Sequence, residues 1–242
     1  MLCCVWDGEG QLKFRPPEAA LTAEDLAFLS KVDSPTIANA IETFELRDRT
    51  EGYIGGAVRC LFPDLGVMVG QALTVTVTNV RGPVASRDGY WRMWEALSAM
   101  PKPSVIVMQD LSGRPTRCAY AGEVMATLAK RLGAVGMVTD GGFRDLDEVR
   151  ALGFHYYAAY AVVSHGNFAI IDVGVPVTLD GQRIETGDIL HGDANGIVIV
   201  PRETLKELPR AVEKIRKRES SLMDYIRSDE FTLEGVRTHR GY

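Results

Sequence analysis

Residues 122–153 read GEVMATLAKRLGAVGMVTDGGFRDLDEVRALG, and this stretch decides the fold class. Residues 122–133 have the apolar spacing of a helix, whereas residues 134–142 form a short apolar run that ends in two glycines. Residues 143–153 return to helical spacing. Another apolar run, PSVIVMQD at residues 103–110, precedes the first of these helices. Because strand, helix and strand in succession are typical of a parallel sheet, we predict an α/β fold.

Upstream of this unit the sequence predicts helices and one long strand. Two helices are expected within residues 21–46, the first capped by Thr22 and the second by Ser34. Residues 70–80 alternate Thr with Val and Leu, which is typical of a half-buried strand. Residues 86–100 have helical spacing of large apolar side chains.

Downstream of the unit the sequence turns to β structure. Residues 156–163 predict a strand, and residues 169–201 predict antiparallel strands. Asp180-Gly181 is typical of a hairpin turn, and residues 193–196 predict another tight turn. A charged helix is expected over residues 203–228.

Composition and charge limit the function classes. The 242 residues are 46% hydrophobic, which is ordinary for a globular protein, and the formal net charge of −5 offers no basic field for nucleic acid. The four cysteines form no CxxC pair, so we expect reduced thiols and a cytoplasmic protein. No apolar run reaches about 18 residues, so no membrane span is predicted.

The chain shows neither a low-complexity linker nor an internal repeat. We therefore predict one domain over residues 1–242, with outlying segments at residues 1–20 and 229–242.

Arg144 and Asp145 are the first candidates for chemistry. They follow two glycines at the carboxyl end of the strand over residues 134–142, which is where α/β sheets bind ligands. The glycines allow close backbone approach, Arg144 offers a planar fork for a carboxylate, and Asp145 offers oxygen ligands for a divalent ion. The alternative is a loop-to-helix turn in which Asp145 is an N-cap and Arg144 a surface cation.

Gly122, Glu123, Val124 and Met125 form the second candidate, at the start of the preceding helix. A helix start presents unpaired N–H groups and the positive end of the dipole, which suit an anionic carboxylate. Alternatively, Glu123 is an acidic residue of the kind that the dipole favours in any first turn.

Other chemistries find less support. The four histidines (His155, His165, His191 and His239) form no HxxxH or HxH pair, so a zinc site is not indicated and structural histidines are expected. The chain has no GxGxxG or GxxxxGK[ST] loop, which argues against a nucleotide or S-adenosylmethionine site. Ser164 lies beside His165 but outside any GxSxG elbow, so a hydrolase is not indicated either.

The two candidate segments together resemble a known family. Glu123, twenty residues, Arg144-Asp145, two residues and Glu148 resemble the pattern of the class II 4-hydroxy-4-methyl-2-oxoglutarate aldolases. That family also contains the regulator of ribonuclease activity A, and many members carry the legacy label demethylmenaquinone methyltransferase. Further segments resemble it at residues 70–77, 105–110, 122–145 and 187–201.

The resemblance implies roles for the candidate residues. The backbone amides of Gly122, Glu123, Val124 and Met125 would bind the substrate carboxylate, and Arg144 would bind the 2-oxo group. Asp145 would ligate Mg²⁺ or Mn²⁺ directly, while Glu123 would hold a metal-bound water. Related aldolases usually carry aspartate at the position of Glu123, and the regulator-type proteins lack the acid there. Glu123 therefore favours an enzyme.

The resemblance also implies a fold, an assembly and a reaction. The fold would be the swivelling β/β/α type, with a parallel and an antiparallel sheet stacked and helices outside. Family members form trimers or hexamers, and a neighbouring subunit's C-terminal helix would add an acid, for which Glu219 is the candidate. The apolar positions Leu208, Val212, Ile215 and Leu222 of that helix would cover either their own domain or another subunit.

The implied reaction starts from a small 2-oxo acid. Cleavage of a 4-hydroxy-2-oxo acid, or loss of carbon dioxide from oxaloacetate, leaves a pyruvate enolate that a divalent ion and an arginine stabilise. The alternative is a regulator or binding protein that kept the fold without the chemistry.

Overall fold

The computed structural model describes residues 4–6, 12–17, 19–80 and 87–240. The helices are α1 (Ala23–Leu29), α2 (Ser34–Glu42), α3 (Asp88–Ala99), α4 (Glu123–Arg131), α5 (Leu146–Ala151), α6 (Leu208–Arg227) and α7 (Leu233–Arg240). The strands are β1 (Cys4–Trp6), β2 (Leu12–Phe14), β3 (Tyr53–Ile54), β4 (Arg59–Cys60), β5 (Met68–Asn79), β6 (Ser104–Asp110), β7 (Ala119–Ala121), β8 (Ala134–Phe143), β9 (His155–Ala161), β10 (Phe168–Val173), β11 (Val177–Leu179), β12 (Gln182–Ile184), β13 (Ile189–Asp193) and β14 (Gly196–Val200).

The main sheet combines parallel and antiparallel strands. Its order is β3-β14-β13-β5-β6-β8-β9-β4, with β10 paired to β5 and β7 paired to β8. β5, β6, β8 and β9 run parallel to one another, whereas β13 and β10 join β5 in antiparallel register. The α/β class with a parallel and an antiparallel part is therefore confirmed, and β5 connects the two parts.

The core lies on both faces of the parallel strands. On one face, Ile106 and Met137 pack with Leu97 of α3 and Ala126 of α4. On the opposite face, Val105, Val107 and Val138 pack with antiparallel-strand residues such as Leu190 and Ile199. Each fully buried side chain of this size contributes about 1.5–3 kcal/mol. The layers are thus helices, parallel strands and antiparallel strands, as the swivelling β/β/α type requires.

β5 differs from its prediction. Its Thr–Val alternation indicated a strand with one solvated face, but almost every residue of Met68–Asn79 is buried. The half-buried prediction is wrong because the threonines find partners inside the protein. The Thr74 hydroxyl, for example, lies 2.6 Å from the Thr186 hydroxyl.

One predicted helix cap is confirmed and the other is displaced by one residue. Thr22 caps α1 in a capping box with Asp25. The cap of α2 is Asp33, whose carboxylate accepts from the Thr36 amide at 2.9 Å, so the prediction of Ser34 as N-cap is wrong. Ser34 instead lies inside the first turn, and its hydroxyl is 3.0 Å from His191 Nδ1.

Both predicted turns are confirmed. Asp180 (φ 45°) and Gly181 (φ 82°) connect β11 to β12 as a two-residue hairpin, and positive φ at both positions is typical of a type I′ turn. The second turn joins β13 to β14, with Asp193 and Gly196 paired across it.

The C-terminal helix begins later than predicted. Residues 202–204 form a 3-10 turn, and α6 starts at Leu208 with Pro209 in its first turn. Proline is tolerated there because the first amides of a helix have no acceptor within it. Leu208 and Val212 are buried in their own chain beside α2, and Ile215 packs against the same cluster. These positions therefore cover their own core. A further helix, α7, was not predicted.

Two cysteine thiols are described, and both are free. Cys118 is buried, its thiol donates to the His165 carbonyl at 3.0 Å, and burial raises its pKa to about 12. Cys3 lies outside the described residues. No helix in the described ranges is both long and apolar enough to cross a bilayer.

Candidate active site

The two candidate segments meet at the carboxyl ends of β7 and β8. These strands run parallel, with Ala121 paired to Phe143. The Arg144 amide then donates to the Ala121 carbonyl at 3.1 Å. Because α4 begins directly after β7 and the Arg144-Asp145 pair directly follows β8, this pairing brings the start of α4 beside Arg144 and Asp145.

Asp145 reaches across to the neighbouring helix. It occupies the N-cap position of α5, but its side chain makes no capping bond there. Instead Oδ2 accepts from the Glu123 amide at 2.9 Å. Asp145 has φ 57° and ψ 48°, a left-handed conformation that aspartate tolerates better than most residues. Asp145 is therefore the N-cap residue of α5 by position, as the alternative predicts, but its side chain bonds to α4 and not to its own helix.

Arg144 lies beside this carboxylate. Its Nε is 3.6 Å from Asp145 Oδ2, and the two side chains are 37% and 35% exposed. Both groups are thus partly shielded from water, which strengthens their interaction relative to a pair on the open surface. Arg144 is therefore not a fully solvated surface cation.

Gly122 must be glycine for this geometry to exist. A Cβ at Gly122 would lie 2.3 Å from Asp145 Oδ2 and 3.0 Å from Arg144 Nε. The absent side chain leaves the space that the carboxylate occupies. In contrast, Gly141 and Gly142 are explained by packing, because their Cβ atoms would meet the Tyr120 ring at 2.6 Å and the Val162 side chain at 2.5 Å. These two glycines allow close approach to the backbone, as predicted, and the groups that approach are side chains of the chain itself.

A small cavity of about 100 Å³ lies over these groups, and we call it the inner cavity. Among the predicted residues Gly122, Val124, Met125, Arg144 and Asp145 line it, and Val124 is 79% exposed. The Glu123 side chain is exposed and is not part of the lining, although its amide is part of the site.

Tyr156 supports the site from below, and the sequence prediction missed it. Its hydroxyl donates to the Gly122 carbonyl at 3.4 Å, and its ring stacks on Phe143 at 4.2 Å. Burial and the nearby Asp145 carboxylate raise the pKa of Tyr156, so it remains a neutral donor. In the sequence, the feature that could have indicated Tyr156 is its place among the aromatic residues that begin β9, the strand next to β8.

A pair of carboxylates lies behind the inner cavity. The Tyr120 hydroxyl donates to Asp110 Oδ2 at 2.6 Å, and the Asp110 amide donates to Asp140 Oδ1 at 2.7 Å. Burial and the Asp110 charge raise the pKa of Asp140 to about 6. Since Tyr120 also lines the inner cavity, this network links the ends of β6 and β8 to the site.

The histidines fall into different environments. His191 is fully buried, and its two ring nitrogens lie 3.0 Å from Ser34 Oγ and the Leu29 carbonyl, as expected of a structural histidine. His165 is exposed and lines the inner cavity, which the sequence prediction missed. Its only signal was its place in a loop after a strand of the parallel sheet.

The family model described as "RraA-like: Aldolase/RraA" matches residues 34–199. The chain belongs to the RraA-like family. The match includes β3 to β13, β14 except its last residue, and every described residue that lines the inner cavity.

Individual RraA-like relatives are more distant. The chain is 31% identical over 136 residues to a Halalkalibacterium halodurans protein named "Putative 4-hydroxy-4-methyl-2-oxoglutarate aldolase", covering 56% of this chain and 60% of that protein. It is 29% identical over 168 residues to a protein of the same name from Halorhodospira halophila, covering 68% of this chain and 98% of that protein.

Solved structures show the same fold. An uncharacterized Pseudomonas syringae protein superposes with a TM-score of 0.71 at 24% identity, covering 94% of this chain and 99% of its own. Streptomyces coelicolor RraAS2 is described as an unusual member of the RNase ES inhibitor RraA protein family. It superposes with a TM-score of 0.66 at 23% identity, covering 84% of this chain and 98% of its own.

The residues present fit a loosely held divalent ion. Asp145 is partly exposed and uses one carboxylate oxygen, Oδ2, for the Glu123 amide and the Arg144 pair. Within the described ranges no three His, Cys, Asp or Glu side chains cluster as metal ligands. Mg²⁺ needs only one or two carboxylates because it retains several waters. The partly exposed Asp145 carboxylate could therefore serve as the single protein ligand of an ion of this kind.

Proposed function

We propose that this chain is a divalent-metal-dependent lyase that acts on small 2-oxo acids. It would cleave 4-hydroxy-2-oxo acids to pyruvate, decarboxylate oxaloacetate, or do both, through a pyruvate enolate. The observation that carries the proposal is the meeting of Arg144, Asp145 and the start of α4 at one small cavity. The names of the aldolase relatives support the same reaction class.

The start of α4 would bind the substrate carboxylate. The first amides of a helix have no acceptor inside it, and the Glu123 amide is already bonded to Asp145. The Val124 and Met125 amides remain for an incoming carboxylate, assisted by the positive end of the helix dipole. This binding would fix the C1 end of the substrate and set the position of its 2-oxo oxygen.

Arg144 would stabilise the charge that develops during bond cleavage. In both reactions the electron pair of the broken bond is left on C3 and delocalises onto the C2 oxygen. A guanidinium at that oxygen interacts more strongly with the transition state than with the neutral ketone, which is the requirement for catalysis. The Asp145 carboxylate, 3.6 Å from Nε, holds the guanidinium at this position.

Asp145 would hold magnesium or manganese directly, with Glu123 reaching it through a water, and the ion would supply Lewis-acid polarisation of the same oxygen. Asp145 would then have two tasks, since its Oδ2 also binds the Glu123 amide. The half-exposed carboxylate has room for both.

The decisive experiment is an assay of pyruvate release. The purified chain should release pyruvate from oxaloacetate or from a 4-hydroxy-2-oxo acid when Mg²⁺ or Mn²⁺ is present, and much less after chelation. If no acid of either kind yields pyruvate with metal present, the enzyme proposal fails and a regulatory or binding role is favoured.

We also propose a cytoplasmic homotrimer or homohexamer. α6 exposes Met223 and Ile226, each 44% accessible, beyond the part that covers its own core. Within its own chain the Glu219 carboxylate accepts from the Asn39 side-chain amide at 3.2 Å. In the proposed assembly Glu219 would be the additional acid at the site of a neighbouring subunit.

A further inference from the structure

His165 lies where the inner cavity opens. It lines this cavity together with Arg144 and Asp145, and it also lines the neighbouring cavity of about 290 Å³ beside the first turn of α3. The inner cavity, at about 100 Å³, is well below the volume of about 300 Å³ at which typical small-molecule sites begin. A substrate held at Arg144 therefore does not fit within the inner cavity alone, and its atoms beyond C3 extend past His165.

The backbone at His165 is fixed to the strand that leads into the site. The Ser164 carbonyl accepts from the Ala119 amide at 2.8 Å, and the His165 carbonyl accepts from the Cys118 thiol at 3.0 Å. Ala119 is the first residue of β7, which ends directly before Gly122. Two hydrogen bonds from consecutive residues thus hold His165 beside the start of α4.

The imidazole of His165 is oriented so that it can accept a proton. Its Nδ1 lies 2.7 Å from the Gly166 carbonyl, which can only accept, so Nδ1 carries the hydrogen and Nε2 has the free lone pair of the neutral ring. No residue in the described part of the chain forms a hydrogen bond with Nε2. A backbone carbonyl that binds Nδ1–H is a common way to fix the tautomer of a histidine base.

The other titratable side chains described in the lining are Tyr120, Arg144 and Asp145, and they are poorer candidates for a base. The Tyr120 hydroxyl donates to a carboxylate at 2.6 Å, and burial raises its pKa, so it stays protonated. Arg144, like any arginine, is a permanent cation. The Asp145 carboxylate already pairs with Arg144, and the proposed function assigns it to the metal. His165 therefore carries the available base among these residues.

The two reactions of the proposed function differ in their need for a base. When a 4-hydroxy-2-oxo acid is cleaved, the C4 hydroxyl must lose its proton, because its oxygen becomes the carbonyl of the second product. In oxaloacetate, C4 is an ionised carboxylate and leaves directly as carbon dioxide. Both reactions leave the same enolate, but only the cleavage requires a general base at the C4 oxygen.

We propose that His165 is the general base of carbon–carbon cleavage. Nε2 takes the proton of the C4 hydroxyl, the O–H electron pair forms the C4 carbonyl, and the electron pair of the C3–C4 bond passes into the enolate. The exposed imidazolium then releases its proton to water, and C3 takes a proton from water to give pyruvate. This inference rests on the proposed function, which places the 2-oxo oxygen at Arg144.

The test compares cleavage of 4-hydroxy-4-methyl-2-oxoglutarate with decarboxylation of oxaloacetate, both in the presence of Mg²⁺. General base catalysis contributes about 10²–10⁴-fold, so His165→Ala should lower kcat for cleavage by about a hundredfold or more and slow decarboxylation only slightly. His165→Asn keeps a donor for the Gly166 carbonyl but has no base in place of Nε2, so its cleavage should be equally impaired. Added imidazole should restore part of the cleavage rate of His165→Ala, which would not happen if the side chain only supported the loop.

Ser164→Ala is the matched control. The Ser164 hydroxyl accepts from the Gly166 amide at 3.2 Å in the same loop, and Ser164 does not line the inner cavity. This variant should keep the wild-type ratio of cleavage to decarboxylation. Arg144→Lys should slow both reactions, because both pass through the enolate. Thermal melting checks that each variant folds.

Three results would overturn the assignment: wild-type cleavage by His165→Ala, an equal loss of both reactions in that variant, or a wild type that decarboxylates oxaloacetate but does not cleave the hydroxy acid. Failure of the proposed function would appear differently, as a wild type that releases pyruvate from neither acid.

Discussion

Asp145 Oδ2 accepts a hydrogen bond from the Glu123 amide at 2.9 Å, across 22 positions of sequence. This contact joins the loop after β8 to the first turn of α4, so the arginine beside Asp145 and the free amides of the helix face one ligand. It also explains why Asp145 adopts a left-handed conformation, since its side chain points to a neighbouring helix and not to its own.

Arg144→Lys should lower kcat/KM for pyruvate release by about a hundredfold or more. An ammonium supplies charge but not the planar pair of donors, and loss of a well-placed transition-state hydrogen bond costs on the order of 3 kcal/mol. Steady-state kinetics with oxaloacetate checks this. Arg150→Lys is the control, because Arg150 pairs with Asp64 outside the cavity and should turn over normally. Equal rates in the two variants would remove Arg144 from the mechanism.

Asp145→Ala should abolish metal-dependent turnover while the protein remains folded. The change removes both the proposed metal ligand and the acceptor of the Glu123 amide. Pyruvate release measured across a Mg²⁺ titration, with circular dichroism as the folding check, tests this. Asp147→Ala, at an exposed position two residues later, should retain the wild-type metal dependence. Full activity in Asp145→Ala would contradict the assignment.

Gly122→Ala should reduce both activity and stability. The added Cβ would lie 2.3 Å from Asp145 Oδ2, so the carboxylate or the start of α4 must shift. Overpacking of this kind costs about 1–3 kcal/mol. Urea denaturation and the pyruvate assay together measure the effect. Gly56→Ala meets nothing within 4 Å and should change neither quantity. If the two variants behave alike, the close approach at Gly122 is unimportant.

Asp140→Asn should change how stability depends on pH. Burial raises the pKa of Asp140 to about 6 from 3.8, so the folded state holds a proton that the unfolded chain releases between these values. The stability from this group is present below about pH 4 and lost as pH rises through 6. Asparagine keeps the acceptor for the Asp110 amide without the charge. Between pH 4.5 and pH 8, the free energy of unfolding of the variant should therefore rise relative to that of the wild type by on the order of 1–2 kcal/mol.

Urea midpoints of both proteins at pH 4.5 and pH 8 provide the measurement. Other titrating groups are common to the two proteins and cancel in the difference. A difference that stays constant between the two pH values would mean that the Asp140 carboxyl titrates normally.

The assembly is tested by sedimentation at micromolar concentration. We expect a species of three or six chain masses, because Met223 and Ile226 on α6 remain exposed in the single chain. Replacing both with lysine should shift the population towards the single chain. A single-chain mass for the wild type would contradict the prediction.

The local elements follow from the sequence alone. The spacing of apolar residues in residues 122–153 indicated helix, strand and helix, and the structure contains α4, β8 and α5 there. Thr22 with Asp25 indicated a capping box, and Asp180-Gly181 indicated a hairpin. These features depend on backbone sterics and on contacts within a few residues, so the sequence contains all the information that they require.

The candidate site follows partly from the sequence and partly from the tertiary structure. Arg144, Asp145 and the start of α4 could be named from the sequence, but the bond between Asp145 and Glu123 could not, since capping its own helix was an equally good local solution for Asp145. The chosen partner depends on β7 lying beside β8. Likewise, Tyr156 and His165 carry no local motif and reach the site only through the order of the strands.

Tertiary structure alone decided which surfaces are covered and which groups share a cavity. The alternation in β5 predicts one solvated face, yet the antiparallel strands cover that face and the threonines bond inside the protein. Met125 and His165 are 40 positions apart in the sequence, and only the folded chain brings both to the lining of the inner cavity. Local chemistry determines the elements, whereas contacts between distant residues arise only when the strand order and the layer packing bring them together.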